Sequence, residues 1–414
     1  MGHLDRKQAP AAGEHLVLYD IIRACAMLLV VIGHSSYYTA GMTPFGGIDY
    51  VGAMRAAGVA DTAVHQWADF VVGGIYTFHM RVFFVLSGAV FYLRLQQGAY
   101  QGLGAFLRKK ARRLLLPFFL VVTLYVVPLK ALGGCWAGRE HPLRDMLVSQ
   151  YLLSDQHLWF LLILFWSFCA IGAALLGSSR LRAALLRPRT LRQEGGVFLG
   201  TMLSLLVCEI AGQALMAWMQ RSGLGAWNNW GLGVYLFSWG VGWMTVGMTL
   251  ERLRQQLPSS RTVFAAGASA AGAAGWRAAS VLLPVLFIAG YVALGRIPFP
   301  GGLRGLTLHE AALLVVTLFG VAATFLWGWR LSAGRAASSR WVQRLSRDSM
   351  GIYLYSDPLN YVLLALFASQ FGIAGFGVPA LAAGLLAFRF LVTLLGSWGI
   401  TLLLRRISRA LQLL

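Results

Sequence analysis

Charge is scarce in this chain. Of 414 residues only 12% are charged, against roughly 25% in a soluble globular domain, and acidic residues are the scarcer kind, 15 Asp+Glu beside 35 Lys+Arg. That is too little polar surface to cover a soluble enzyme or a secreted domain of this size, and too apolar a composition for a disordered tail. Cysteine is equally sparse. Cys25, Cys135, Cys169 and Cys208 show neither C-x-x-C pairing nor clustering, so a disulfide framework and a zinc site are both unexpected, and no metal is foreseen. There is no repeat at a fixed period and no polar stretch long enough for a soluble domain. A net charge of +20 alone suggests nucleic acid, but the basic residues are scattered along the chain and no recognition module accompanies them, so that partner is set aside.

What the chain has in abundance is apolar sequence: 58% of it is hydrophobic. Ten stretches of about 20 mostly apolar residues suit helices crossing a hydrocarbon core. They run approximately over 16–36, 70–93, 114–133, 157–177, 196–216, 228–250, 279–295, 311–330, 349–372 and 377–404. An Ala/Gly-rich run, Val263 to Ala279, precedes the seventh and either extends it or forms a short helix of its own. Taking the N-terminus as cytoplasmic, 25 Lys+Arg fall on the cytoplasmic side, 7 on the outer side and three (Arg23, Arg81, Arg389) inside spans. This is the asymmetry of the positive-inside rule for an even number of helices. The expected fold is therefore an all-α polytopic membrane bundle of about ten helices with both termini cytoplasmic. Residues 1–15 form a cytoplasmic segment, 16–404 the transmembrane domain and 405–414 a short cytoplasmic end. No cleavage site follows a short apolar core near the start, so helix 1 reads as retained. The connections 37–69 and 134–156 are long enough to cap an outward-facing site.

Charged groups inside spans cost roughly 2.5–3.5 kcal/mol each at mid-helix and mark functional sites by default. The first stretch carries Asp20, Arg23 and His34. An eleven-residue step is within about 20° of three full turns, so Arg23 and His34 share a stripe about 16 Å apart along the axis, with Asp20 beside them. A guanidinium toward the cytoplasm suits an anion such as a phosphate. An imidazole farther out suits proton abstraction from a hydroxyl. An Asp20–Arg23 ion pair at the interface with His34 merely interfacial is the competing account. The second stretch holds His79 and Arg81 at mid-depth, where an arginine needs a carboxylate, a carbonyl or an anionic ligand. Ser87-Gly88 reads as a helix-packing contact, and no G-x-S-x-G elbow is present. Glu209, Asp357 and Arg389 complete the in-span set, with Arg389 expected to be neutralised by Glu209 or Asp357. Asp155 and His157 lie at the mouth of the fourth stretch beside Trp159, itself a candidate site residue or an interfacial anchor. His309-Glu310 reads as a solvated helix end. The basic run Arg108, Lys109, Lys110, Arg112, Arg113 is either a topology determinant on anionic headgroups or a docking patch for a nucleotide's phosphates.

These residues fall into a familiar order. LYDIIRACAMLLVVIGH (Leu18 to His34) resembles the opening of the acyltransferase-3 family of bacterial membrane proteins, an Arg, ten residues, then a His. FHMRVFFVLSG (Phe78 to Gly88), RKKARRLLLP (Arg108 to Pro117), LWFL (Leu158 to Leu161) and DSMGIYLYSDPL (Asp348 to Leu359) resemble four further elements of that family in the same sequence. Two positions depart: Arg81 replaces the usual proline, and Ser356 followed by Asp357 replaces the usual late histidine. The resemblance implies O-acyl transfer, usually acetyl, from cytoplasmic acetyl-CoA to a sugar hydroxyl of an exported or cell-surface polysaccharide or lipid-linked glycan. It implies a bacterial inner-membrane enzyme, in contact with membrane lipid and with a possible polysaccharide-synthesis complex. On this reading His34 is the general base and Arg23, Arg108 and Arg112 hold the acyl-CoA. Asp20, His79, Arg81, Trp159 and Asp357 support the site or face the acceptor. Acetyl or succinyl donor, the acceptor hydroxyl, and direct transfer or an acyl-histidine intermediate stay open. A transporter or flippase for a lipid-linked sugar is the alternative function, and a scaffolding subunit of an envelope complex a further one.

Overall fold

A computed structural model describes residues 12–43, 45–154, 156–223, 236–257, 260–264 and 270–412. The first helix, α1 (Ala12–Ser36), rises through the centre of the bundle. A short antiparallel hairpin, β1 (Thr39–Thr43) and β2 (Gly46–Asp49), follows, then α2 (Tyr50–Ala56). The Asp49 side chain accepts from the Gly52 N–H to start α2, and Thr62 does the same for His65 at the head of α3 (Ala63–Gln96). Next come α4 (Leu103–Val121), a π turn at Val122–Val126, and α5 (Val127–Leu132), together one membrane-length rod. The connection 134–156 then folds as α6 (Pro142–Leu147) and a second π turn.

The second half begins with α7 (Trp159–Gly177), the short α8 (Ser179–Leu186) and α9 (Leu191–Arg221), the last opened by a reciprocal Thr190–Gln193 capping box. A π turn at Leu236–Val241 leads into α10 (Gly242–Gln255). The Ala/Gly-rich run resolves into a separate α11 (Ser260–Phe264) and the start of α12 (Ala270–Leu294), with 265–269 outside the described residues. The chain ends in α13 (Gly302–Ser332), a 3₁₀ turn (Arg335–Ser338), α14 (Arg340–Phe376, bent at Gly372, φ +63°) and α15 (Pro379–Gln412).

Among the described residues nine helices are long and apolar enough to cross a membrane. They match the expected stretches except 228–250, whose first part lies outside the described residues and whose remainder is the helix ending in α10. The hairpin is an addition to the expected all-helical bundle. It belongs to the connection 37–69, and its Gly47 N–H donates to the Cys135 carbonyl of the other long connection at 3.0 Å. The two expected caps thus meet over one end of the bundle.

One apolar core runs through α1, α3, α7, α10, α13 and α14. Close approach of α3 and α10 depends on glycine: a Cβ on Gly88 would lie 1.9 Å from the Met244 carbonyl oxygen, and one on Gly247 1.9 Å from that of Val85. Gly88 is the packing residue that the sequence suggested. Buried polar bridges fasten the end of the bundle where α1 begins. Tyr19 of α1 donates to Glu251 of α10, and Arg252 Nε donates to Glu194 of α9 at 2.8 Å.

Candidate active site

His34 ends α1 in the interior, 7% exposed. Its Nδ1 lies 3.6 Å from Oδ1 of Asp357, and the other carboxylate oxygen, Oδ2, lies 3.4 Å from Nδ1 of His157. The two imidazoles stand edge to face, centroids 5.8 Å apart. Two phenols complete the clasp: Tyr37 donates to Oδ1 and Tyr361 to Oδ2. Burial and the adjacent Asp357 carboxylate push the Tyr37 phenol well above its ordinary pKa, so it stays a donor. A buried carboxylate is tolerated only when its lone pairs are engaged, and here four groups converge on two oxygens.

The local sequence explains the arrangement. Pro358 follows Asp357 inside α14 and has no N–H, so the Leu354 carbonyl one turn earlier loses its helical partner. His157 Nε2 sits 3.2 Å from that carbonyl. A carbonyl only accepts, so Nε2 carries the proton. His157 therefore has an acceptor facing each nitrogen, a less suitable setting for a base than that of His34. His34 differs. Its Nδ1 faces the carboxylate, which favours the proton there and leaves Nε2 with the lone pair. Tyr353 donates to the His157 carbonyl and packs its ring 5.4 Å from the imidazole, fixing the ring from below.

Arg389 corrects an expectation. Its Nε donates to Asn360 Oδ1 at 3.1 Å and its Nη2 to the His34 carbonyl at 3.2 Å, so its direct partners are an amide and a helix-end carbonyl, with Asp357 within electrostatic reach but not ion-paired to it. The Asp357 oxygens accept from Tyr37 and Tyr361. A cation on the last carbonyls of α1 complements the helix dipole and anchors the residue that carries the imidazole. His79 of α3 is buried nearby, its Nδ1 2.8 Å from the Ile75 carbonyl and its ring 4.8 Å from that of Tyr76. Tyr76 in turn packs against Gly33, where a Cβ would lie 2.9 Å from its ring.

A cavity of about 220 Å³ lies on the other side of Tyr353. Arg23, Lys110 and Arg113 give it a polar end, Met27, Met80, Phe160 and Tyr353 belong to its lining, and His34, His157 and Asp357 do not line it. Arg23 is both ion-paired and a cavity residue: Nη1 donates to Asp20 at 3.0 Å and to Ser346 Oγ at 3.1 Å, while Ser346 donates to Asp20 at 2.7 Å. Lys110 Nζ stands 3.4 Å over the Phe168 ring. Arg108 and Arg112 face outward from α4 in a surface groove that they share with Lys109 and Arg113. The basic run thus divides, and Lys110 and Arg113 are its cavity members. Ser87 lines the same cavity.

Arg81 forms a separate centre. It donates to the Thr77 carbonyl and lies 4.0 Å over the Trp239 ring, while its Nε is buried without a hydrogen-bond partner among the described residues. Trp159 is half-buried against Trp239, centroids 5.9 Å apart, on this side and away from His34. Glu310 was expected at a solvated end. Instead it is 4% exposed, 3.2 Å from His309 Nδ1, within electrostatic reach of Arg81 as is Glu209. Asp155 lies outside the described residues. Among those described, no group of three or more His, Cys, Asp or Glu side chains is arranged to hold a metal ion.

A family model described as an acyltransferase domain matches residues 17–402, nearly the whole chain. No curated protein and no solved structure matches it. The matched span contains every residue of the His34–Asp357–His157 cluster and of the cavity beneath it.

Proposed function

The chain belongs to the acyltransferase-3 family, and from that premise we propose that it moves a short acyl group, acetyl in the simplest case, from acyl-CoA to a hydroxyl of an extracytoplasmic or exported glycan. The observation that carries the reading is the stacking of two unlike sites along α1. A basic-mouthed apolar cavity at Arg23 reaches Tyr353, and that ring packs 5.4 Å from His157, in the cluster where Asp357 faces the His34 imidazole. Phosphates of the donor suit Arg23, Lys110 and Arg113. The slender pantetheine arm suits the apolar passage between Met27, Met80 and Phe160, and brings the thioester up to Tyr353.

The chemistry then needs one base. His34 Nε2 removes the proton of the acceptor hydroxyl as its oxygen attacks the thioester carbonyl. The new C–O bond forms, the C–S bond breaks, and the imidazolium returns its proton to the departing thiolate. Asp357 holds the Nδ1 proton and stabilises the imidazolium while it exists. A base in this position is worth about 10²–10⁴-fold. The excess of basic residues in alternate loops supports donor supply from the cytoplasm and acceptor entry beneath the hairpin cap, in keeping with a multi-pass enzyme of the inner membrane.

Mass spectrometry of envelope glycans tests the reading. Cells carrying the chain should show an added acyl mass on a sugar, and cells carrying His34→Gln at equal membrane abundance should lack it. Unaltered acylation with His34→Gln would reject the assignment.

A further inference from the structure

From Arg252 to Arg347 the sequence holds a single acidic residue, Glu310, and that one sits at the far end of α13 from Arg330, about 30 Å away at 1.5 Å per residue. The arginines at the Arg23 end of α12 and α13 therefore have no carboxylate supplied by their own stretch of chain. Three of them meet. Arg277 of α12, Arg330 at the end of α13 and Arg335 of the following 3₁₀ turn line a cavity of about 490 Å³, walled on one side by Phe264 of α11. Among the described residues no acidic side chain lines it, and none pairs with these three.

The cavity is organised around Ser280, which is wholly buried. Arg330 Nη1 donates to Ser280 Oγ at 2.8 Å, Ser280 Oγ donates to the Arg277 carbonyl at 2.7 Å, and Trp327 Nε1 donates to the Ser280 carbonyl at 2.8 Å. Arg330 is thus held in place before any ligand arrives. Trp276 and Phe264 pack edge to face on Trp329 behind it, centroids 5.0 and 5.2 Å away.

Location identifies the ligand. Helix α12 lies at the periphery: Val281, Leu282, Val285 and Ile288 are all exposed, as is Trp327 on α13. The basic cavity opens directly beside this apolar face, at the level where a bilayer's headgroups begin. It shares no residue with the cavity at Arg23, and Gly328 of α13 packs on Ile22 and Leu18 of α1 between the two. We propose that this cavity is a binding site for the phosphodiester headgroup of an anionic phospholipid, whose acyl chains lie along the exposed face of α12. Three guanidiniums supply bidentate donors to the phosphate oxygens, and the neighbouring aliphatic side chains supply the surface a free anion has no use for. The inference is independent of the acyl-transfer reading.

The full-length protein in neutral detergent tests it by thermal unfolding and native mass spectrometry. Dioleoylphosphatidylglycerol should raise the unfolding midpoint of the wild type at concentrations where dioleoylphosphatidylcholine does not. Retention of the anionic lipid should fall at least about tenfold in Arg277→Gln/Arg330→Gln/Arg335→Gln. Inorganic phosphate at matched concentration should give no shift, and acyl-CoA binding should be unchanged in the variant. Wild-type lipid retention in the triple variant overturns the proposal. So does an equal shift from inorganic phosphate, which would make it a site for free anions, or a loss of acyl-CoA binding, which would make it part of the donor site. If the triple variant fails to fold, Arg335→Gln alone, whose side chain makes no hydrogen bond among the described residues, should weaken retention. Unchanged retention in that single variant counts against the site equally.

Discussion

Asp357 is where one side chain decides the chemistry of four others. A carboxylate offers only acceptors, and Tyr37, Tyr361, His34 and His157 all approach it. In Asp357→Asn one oxygen becomes an N–H donor of nearly the same size. The amide N–H facing His34 would favour a lone pair at Nδ1 and a proton at Nε2, which reverses the ring. We expect Asp357→Asn to fold, to keep its affinity for acyl-CoA, and to lose about 10²–10⁴-fold in kcat. Steady-state transfer assays separate this from a merely structural role, in which KM or protein yield would change instead. Arg23, His34 and Asp357 were legible because a charge inside a span needs a reason. His157 carried a weaker signal: it stood at the mouth of a span beside Trp159, and only the pairing of α7's entrance with α14 gives it a task. Tyr37 and Tyr361 were not legible, since a tyrosine at a membrane level is ordinarily an interfacial residue. The choice of Lys110 and Arg113 over Arg108 and Arg112 depends on the rotational setting of α4, which a run of five basic residues does not specify.

At the level of elements, the helices were readable because a bilayer demands about 20 apolar residues per crossing, whereas their neighbours were not. That α3 packs on α10 follows from Gly88 and Gly247 being the places where backbone can meet backbone. A methyl on Gly88 would strike the Met244 carbonyl, which is part of a helix and cannot step aside cheaply. Gly88→Ala should therefore destabilise the protein by about 1–3 kcal/mol, seen as a lowered thermal midpoint in detergent. Gly200 of α9 has nothing within 4 Å of such a methyl, so Gly200→Ala should leave the midpoint unchanged or raise it. Equal effects at the two sites would disprove the contact. The β-hairpin escaped the sequence reading because nothing in 37–69 alternates apolar with polar residues, and its strands pair beneath a loop that begins nearly a hundred residues later. Glu310 escaped for the opposite reason. It lies near a helix start, where solvent is the default, and is buried only because α3 brings Arg81 close.

For the molecule as a whole, the proposed organisation is a division of labour along α1, with the cavity proposed for the donor at one end, the imidazole at the other, and Tyr353 and His157 between them. Such a division makes access testable apart from chemistry. Ser87 lines the donor cavity and stands outside the Asp357 cluster. In Ser87→Trp an indole would fill much of a passage of about 220 Å³ while His34, Asp357 and His157 keep their partners. CoA binding measured by calorimetry should fall more than about tenfold, and transfer should fall with it, whereas Ser87→Ala should behave as wild type. Arg23→Ala should weaken CoA as well by removing a phosphate partner, but it should leave the passage open, so its residual transfer should recover at high donor concentration. Ser87→Trp should not recover, because donor that still binds by its phosphates can no longer carry its thioester along the filled passage, which lowers the maximal rate. If Ser87→Trp transferred at the wild-type rate, the thioester would have to reach His34 by a route other than the one beneath Tyr353, and the vertical arrangement would lose its meaning.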